Sequence, residues 1–89
     1  MNSRRYTIAT HVIARTVGDE TVLLDLNQQE YLALDAVGSV VWAGLTEGRS
    51  LDEVVDDIVE QFDADRATVE ADVVAFIDEL AAAALVVTE

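Results

Sequence analysis

The sequence contains no cysteine, no proline and no lysine, and these absences exclude several classes of structure and function. Without cysteine there is no disulfide framework, no thiolate nucleophile and no cysteine-based metal site. Without lysine, only five arginines oppose 18 acidic residues, which gives a net charge of −13 at pH 7. Nucleic acids and anionic membranes are bound through basic side chains, so that charge disfavours both as partners.

Long apolar runs are also missing. No apolar stretch approaches the ~20 residues that a membrane-spanning helix needs. No long apolar segment follows Arg4 and Arg5, so we expect no signal peptide and a cytoplasmic protein. The 52% hydrophobic content is nevertheless ample for a packed core, and 89 residues are enough for one small domain. We expect residues 1–10 to be a flexible polar segment and residues 11–87 to form the domain.

The first part of that domain has the pattern of a three-stranded antiparallel meander. Two strands, His11–Val17 and Glu20–Leu26, flank Gly18-Asp19, which is a two-residue hairpin signal. The polar turn Asn27–Gln29 then leads into a short third strand, Glu30–Leu34. Helical patterns follow, so we expect this third strand to lie at an open edge of the sheet. The unpaired backbone groups of such an edge can bind a peptide.

Three amphipathic patterns predict three helices after the strands. Asp35 is placed to cap a first helix over about Ala36–Leu45. Ser50 and Glu53 have the spacing of a capping box for a second helix, and Asp65 is placed to cap a third. The order predicts an α+β domain whose helices cover one face of the sheet. A winged helix-turn-helix domain contains the same kinds of elements.

The third helix has an unusually wide apolar arc. Its two apolar lines are Val69, Val73, Phe76 and Leu80, and Val74, Ile77 and Ala81. An arc of that width fits either a helix buried in the middle of a small core or a helix that also lines a groove beside the third strand. The pattern alone leaves both interpretations open. The helix fades into Ala81–Ala84, and Leu85–Val87 is expected to add a short final contact.

No pattern of catalytic residues is present in the sequence. His11 is the single histidine and has no cluster of metal ligands beside it. The acidic residues of the second helix occupy the positions left by its apolar stripe, so a solvated helix face explains them better than paired catalytic carboxylates. Phosphate-binding loops, nucleophile elbows and EF-hand loops are all missing. We therefore expect neither catalysis nor a cofactor or metal.

Four motifs, in order along the chain, give it a family resemblance. They are the leucine-rich strand ending in Asp25, then Glu30-Tyr31-x-x-Leu34, then Val37-Gly38 with Trp42, and finally Asp72 with Phe76-x-x-Glu79-Leu80. Their order and spacing resemble the PqqD family of small peptide chaperones, whose domain also occurs as the RiPP recognition element of ribosomal peptide biosynthesis. The resemblance runs from about His11 to Val87. Asp35 departs from the asparagine that the family often has there, but either residue can cap a helix.

The resemblance implies a winged-helix-like domain that binds the leader segment of a precursor peptide without catalysing a reaction. In that family the leader adds a strand to the edge of the third strand and lies against the third helix. The implied strand residues are Gln29, Glu30, Tyr31, Leu32, Ala33 and Leu34. The implied helix residues are Asp72, Val73, Phe76, Ile77, Glu79 and Leu80. Tyr31 and Leu34 could instead be core residues, and Asp72 and Glu79 either pair with a basic leader residue or are simply solvated.

Two pathways are compatible with the resemblance. The overall pattern favours lasso-peptide biosynthesis, in which a discrete recognition protein passes the leader to a leader peptidase and a cyclase. Lasso leaders of this kind commonly carry a Tyr-x-x-Pro motif, and we expect its ring to enter a pocket formed by Leu32, Val73 and Phe76. The alternative is a chaperone for the precursor peptide of pyrroloquinoline quinone, which serves a radical enzyme.

Other classes of function also remain open. A DNA-binding winged helix is disfavoured by the acidic charge. A structural domain docked on a larger enzyme is the other alternative. The open strand edge could also pair two copies of the chain into a homodimer.

Overall fold

The computed structural model describes residues 4–88, and their order of elements follows the predicted α+β pattern. The elements are strands β1 (Tyr6–Ile8), β2 (Val12–Val17), β3 (Glu20–Asp25) and β4 (Glu30–Leu34), helices α1 (Ala36–Thr46), α2 (Leu51–Phe62) and α3 (Arg66–Ala82), and strand β5 (Val86–Thr88). A three-stranded antiparallel sheet and three helices are therefore confirmed.

The main sheet has the order β2-β3-β4, as expected for a meander. The loop between β2 and β3 contains only Gly18 and Asp19, and Gly18 has a φ of +63°, which glycine adopts without a steric penalty. The turn before β4 is organised by Asp25, whose Oδ1 accepts hydrogen bonds from the backbone N–H groups of Asn27 (2.9 Å) and Gln28 (3.2 Å). These two turns fix the register of the sheet.

A second, two-stranded sheet pairs β1 with β5 in antiparallel register. Residues 1–10 are predicted to form a flexible segment outside the domain, yet Tyr6 in β1 is buried in the core. Ile8 lies opposite Val86, from the other end of the chain, so the compact part begins before His11. Local sequence patterns carry no signal for a pairing so distant along the chain. The first three residues of that segment lie outside the described range.

The three helix N-termini have the caps that the sequence predicts. Oδ1 of Asp35 accepts the backbone N–H of Gly38 at 2.7 Å, and the Asp65 side chain caps α3 in the same way. Ser50 and Glu53 form a complete capping box at the start of α2. Each cap satisfies one of the orphan backbone donors in the first turn, which favours a helix start at these positions.

One hydrophobic core joins both sheets and all three helices. Helix α1 packs on β3, β4 and α2, and α3 packs on α2 and β5. Helices α1 and α2 approach closely at Gly44, where a Cβ would lie only 2.7 Å from Cγ2 of Val54. The core residues are Tyr6, Leu23, Leu34, Val41, Trp42, Leu45, Leu51, Val54, Val55, Ile58, Val69, Val73, Ile77, Leu80, Leu85 and Val86. Within residues 4–88, no helix is long and apolar enough to cross a membrane.

Candidate functional site

Strand β4 is an edge strand whose free side can be worked out from the hydrogen bonds of the meander. The backbone N–H of Leu26 donates to the C=O of His11 at 2.9 Å, which shows the backbone direction at the end of β3. That direction alternates from residue to residue in an antiparallel pair. Thr21, Leu23 and Asp25 therefore direct their N–H and C=O groups away from β2 and toward β4.

The register of β4 then identifies its outward backbone groups. Leu34, Leu32 and Glu30 lie opposite Thr21, Leu23 and Asp25, respectively. Their N–H and C=O groups are therefore hydrogen-bonded to β3. Tyr31 and Ala33 lie between these positions, so their N–H and C=O groups are directed away from β3. No other strand of the described chain pairs with that side. The predicted open edge is confirmed, and its hydrogen-bonding groups belong to Tyr31 and Ala33.

A groove of about 760 Å³ runs beside this edge, between β4 and helix α3. The start of α1 and the end of α2 close its other sides. Its apolar side chains come from all four elements, and three of them, Leu32, Val37 and Phe62, are exposed to solvent. Apolar grooves beside a free strand edge can take an extended peptide, because the edge supplies hydrogen bonds and the groove takes alternate side chains.

One part of the groove wall is formed where the first turn of α1 approaches α3. Gly38 lies in the first turn of α1, and a Cβ at that position would be 3.7 Å from Cζ of Phe76. The same Cβ would be 3.2 Å from Oδ1 of Asp35 and 3.3 Å from Cβ of Leu34. A Cβ would therefore crowd Asp35 and Leu34, while the Phe76 ring lies at ordinary contact distance from the helix start. Phe76 is half-buried and packs against the core from the groove side.

The charged residues that line the groove are all acidic. They are Asp35, Asp72 and Glu79. Asp35 already uses one carboxylate oxygen to cap α1, whereas Asp72 and Glu79 are exposed on α3. With no arginine or histidine in the lining, the groove has a negative potential and favours a ligand with cationic groups.

Arg5, Arg49 and Arg66 are engaged by acidic residues outside the groove. Arg49 pairs with Asp57, and Arg66 pairs with Asp56. Arg5 lies 3.9 Å from Glu53. These pairs lie along α2 and satisfy part of its acidic face, which supports the interpretation of that face as solvated surface.

A smaller depression of about 360 Å³ continues the groove past Leu32, toward the C-terminal end of α3. Glu30 and Tyr31 border it on the strand side, and Ala82 and Ala83 border it on the helix side. The two cavities share Leu32, Ala83 and Leu85. An extended segment lying along β4 would pass from one to the other.

Most of the residues proposed for peptide binding meet at this groove. Those in its lining are Leu32, Ala33, Leu34, Asp72, Val73, Phe76, Glu79 and Leu80. Ile77 lies outside the lining and is only 1% exposed, so its place is in the core. Gln29 lies in the turn before β4 with a φ of +56° and lines neither cavity. One side of the wide apolar arc of α3 packs in the core, and the other side lines the groove. The two interpretations of the arc, core packing and groove lining, therefore both apply.

Phe62, Val69 and Leu85 also line the groove, although the sequence does not predict them there. Phe62 is the last residue of α2, and Leu85 lies between α3 and β5. Both belong to apolar patterns that the sequence displays, but only the tertiary arrangement turns them toward β4. His11, also considered for a site, has its Nε2 3.8 Å from Oδ1 of Asp25 and lies outside the groove.

Comparison with known proteins identifies the family. The family model described as Coenzyme PQQ synthesis protein D (PqqD) matches residues 20–86. The chain belongs to the PqqD family. No curated protein gives a significant match to this PqqD-family chain. The resemblance noted from the motifs is confirmed.

Two solved structures are similar to this PqqD-family chain. TbiB1 in complex with the TbiA(beta) leader peptide has 41% sequence identity, with a TM-score of 0.85 over 90% of this chain and 93% of that one. Lasso peptide synthetase B1 complexed with the leader peptide also has a TM-score of 0.85, over 93% of this chain and 98% of that one. Its identity is 19%, so this second likeness bears on the fold alone.

Proposed function

We propose that this chain is a non-catalytic protein that binds the leader segment of a ribosomally made precursor peptide in lasso-peptide biosynthesis. The observation that carries the proposal is the open edge of β4 beside an apolar groove, in a chain 41% identical to a protein solved with a leader peptide. The leader would pair with β4 as an added strand.

The backbone geometry gives this strand addition a defined register. The outward N–H and C=O groups of Tyr31 and Ala33 would bond the leader, and leader side chains opposite Leu32 and Leu34 would enter the groove. A ring such as that of a Tyr-x-x-Pro motif would pack near Leu32, Val73 and Phe76, which all line the groove. The pairing of α2 with α3 beside the sheet fits a winged helix-turn-helix description.

The acidic rim of the groove suggests the charge of the ligand. Asp72 and Glu79 would pair with basic leader residues, and the same field would repel an acidic segment. Because both carboxylates are exposed, each pair would contribute modestly to affinity and more to association rate and specificity.

A protein of this kind acts together with enzymes. We propose that it passes the leader to a leader peptidase and a cyclase. Precursor peptides are made on ribosomes, so recognition before leader removal would occur in the cytoplasm. One alternative is a chaperone for the precursor peptide of pyrroloquinoline quinone, which would serve a radical enzyme. The name of the family, Coenzyme PQQ synthesis protein D, keeps this alternative in view. A structural docking domain of a larger enzyme is the other alternative, and it would not bind free leader peptide.

The proposal is tested by fluorescence polarisation of the labelled leader peptide encoded beside this chain's gene. We expect saturable binding to the unaltered protein and at least about tenfold weaker binding to Ala33→Pro. Ala33 directs its N–H away from β3, so proline there removes a donor that only an added strand uses. The matched control is Ala14→Pro in β2, whose N–H faces the opposite edge of the sheet by the same alternation.

Circular dichroism melting shows whether each proline variant is folded. Equal loss of affinity in two folded variants would contradict binding at the β4 edge. Absence of binding to the leader by the unaltered protein would contradict leader recognition altogether. In that case, co-purification with a pathway enzyme would support the docking-domain alternative.

The same edge could pair two copies of the chain when no peptide is present. Sedimentation of the unaltered protein, with and without leader, tests this. We propose that any dimer through β4 is lost in Ala33→Pro and is competed away by the leader, whereas a dimer through another surface would persist in both cases.

A further inference from the structure

The main sheet has a second face that no helix of the described chain covers, and this face carries an apolar row. Ile13, Leu24 and Tyr31 lie opposite one another on the three adjacent strands. Leu23 and Leu32, one position along, project toward the other face, where Leu23 is buried in the core and Leu32 lines the groove. Side chains alternate along a strand, so the row projects from the face opposite the 760 Å³ groove, and of its three residues Tyr31 alone also borders the smaller depression at the strand edge.

Exposure is greatest at the end of this row that adjoins the open edge. Tyr31 is 76% exposed, Ile13 is 48% exposed and Leu24 between them is half-buried. An aromatic side chain so exposed does not belong to the core, so the alternative interpretation of Tyr31 as a core residue is wrong. It is explained if a further strand places a side chain next to it.

The register of an added strand puts such a side chain there. Tyr31 directs its N–H and C=O outward, so a strand bonded to β4 would place one residue directly opposite Tyr31. That residue projects on the same face as Tyr31, with Cβ atoms about 5 Å apart. The peptide residues on either side of it project into the groove instead.

We infer that a bound leader is recognised on both faces of its strand, with Tyr31 as a specificity-determining residue on the face opposite the groove. This inference rests on the proposed leader binding and extends it. The leader residue in register with Tyr31 completes the row begun by Ile13 and Leu24. Its chemical class is therefore apolar, aromatic or β-branched, since such pairs stabilise neighbouring strands. The leader segment that pairs with β4 would then contain consecutive apolar residues, because the side chains on both of its faces contact the protein. A strict alternation of apolar and polar residues is not expected there.

The test is a double-mutant cycle between the protein and the leader peptide. Each leader position is replaced by alanine in turn, and its affinity is measured for the unaltered protein, Tyr31→Thr and Phe76→Ala. Threonine keeps a strand-forming residue while removing the ring. Ile13→Thr is the matched control, because it alters the same row two strands away from the leader.

We expect Tyr31→Thr to weaken binding about three- to fivefold and Ile13→Thr to stay within about twofold of the unaltered protein. The double-mutant cycle should give an interaction free energy between Tyr31 and one set of leader positions, and between Phe76 and a different set. The two sets should be adjacent along the leader. Unchanged affinity in Tyr31→Thr would overturn the inference while leaving leader binding intact, and so would coupling of Tyr31 and Phe76 to the same positions.

Two further outcomes separate this inference from its rivals. If Tyr31→Thr binds leader normally but slows leader removal by the pathway peptidase, the outer face receives the enzyme and the inference is wrong. If the unaltered protein binds no leader, the proposed function fails and the inference fails with it. Both variants should fold as the unaltered protein does, because Tyr31 and Ile13 are exposed and lie outside the core, and circular dichroism melting checks this.

Discussion

The ring of Phe76 lies over Gly38, with its Cζ 3.7 Å from the position that a Cβ on that glycine would occupy. This contact joins the middle of α3 to the first turn of α1, directly beside the end of β4. It therefore sets the wall of the groove at the place where the sheet edge, the helix start and the third helix meet. A half-buried aromatic residue at such a junction is a suitable anchor for an incoming side chain.

Phe76→Ala should weaken leader binding by about 2 kcal/mol or more, since truncating an aromatic anchor in an apolar pocket removes most of its contact. Fluorescence polarisation with the labelled leader measures the change. The matched control is Val74→Ala, which also truncates a partly buried residue of α3 but lies outside the groove lining. Val74→Ala should lower thermal stability while leaving the leader affinity nearly unchanged. If Phe76→Ala binds as well as the unaltered protein, the assignment of the aromatic pocket is wrong.

The acidic rim predicts a salt-sensitive affinity for a basic leader. Replacing Asp72 by Asn and Glu79 by Gln should each weaken binding by about 0.2–1 kcal/mol at low salt, as exposed ion pairs do. The difference from the unaltered protein should shrink as salt is raised, because screening removes the attraction. Asp78→Asn is the matched control, since Asp78 is exposed on the same helix but does not line the groove. Equal effects at Asp72 and Asp78 would show that only the overall charge matters.

The close approach of α1 and α2 predicts that Gly44→Ala is destabilising. Replacing glycine by alanine in a helix interior normally raises the free energy of unfolding by about 1 kcal/mol. Here its Cβ would lie 2.7 Å from Cγ2 of Val54, a fully buried and branched side chain that cannot swing aside. Overpacking of this kind costs about 1–3 kcal/mol, so the free energy of unfolding should fall. Urea denaturation measures it, and the double variant with Val54→Ala should show less than the combined loss of the two single variants.

The features that sequence could predict are those decided by neighbours along the chain. The capping box of Ser50 and Glu53 needs only a spacing of three residues, and the hairpin turn at Gly18-Asp19 needs only two. The order of the strands then follows from short connections, which leaves β4 at an edge. The fold and the location of the candidate site were therefore accessible from local patterns together with the family resemblance.

The features that sequence could not predict depend on how the elements pack. Tyr6 is buried through a strand pairing between the two ends of the chain, for which no local pattern exists. Phe76 and Ile77 are neighbours in one apolar arc, yet only Phe76 lines the groove, because α2 and β5 fix the rotation of α3. Likewise, the face on which Tyr31 projects is set by the register of the meander rather than by its own neighbours.

The capping box of α2 predicts a stability that depends on pH. The backbone N–H of Ser50 donates to Oε1 of Glu53 at 2.9 Å, and this bond, with the Ser50 side chain, holds the pKa of Glu53 below its usual value. Nearby Arg5 acts in the same direction. A carboxyl group whose pKa is lower in the folded state stabilises the fold above its ordinary pKa, and the contribution is lost as the pH falls through the folded-state pKa.

Glu53→Gln keeps an acceptor for the Ser50 N–H but removes the charge, so it isolates the titrating part of the cap. The melting temperature of Glu53→Gln should therefore lie below that of the unaltered protein at neutral pH, and the two should converge in acid once Glu53 is protonated. Glu60→Gln removes the same charge from the same helix without touching the cap, and measures the general effect of reducing the net charge of −13. If both variants follow the same pH dependence, repulsion within this acidic chain explains the result and the cap does not. A melting-temperature difference that is confined to Glu53→Gln and vanishes in acid identifies the hydrogen-bonded carboxylate as its source.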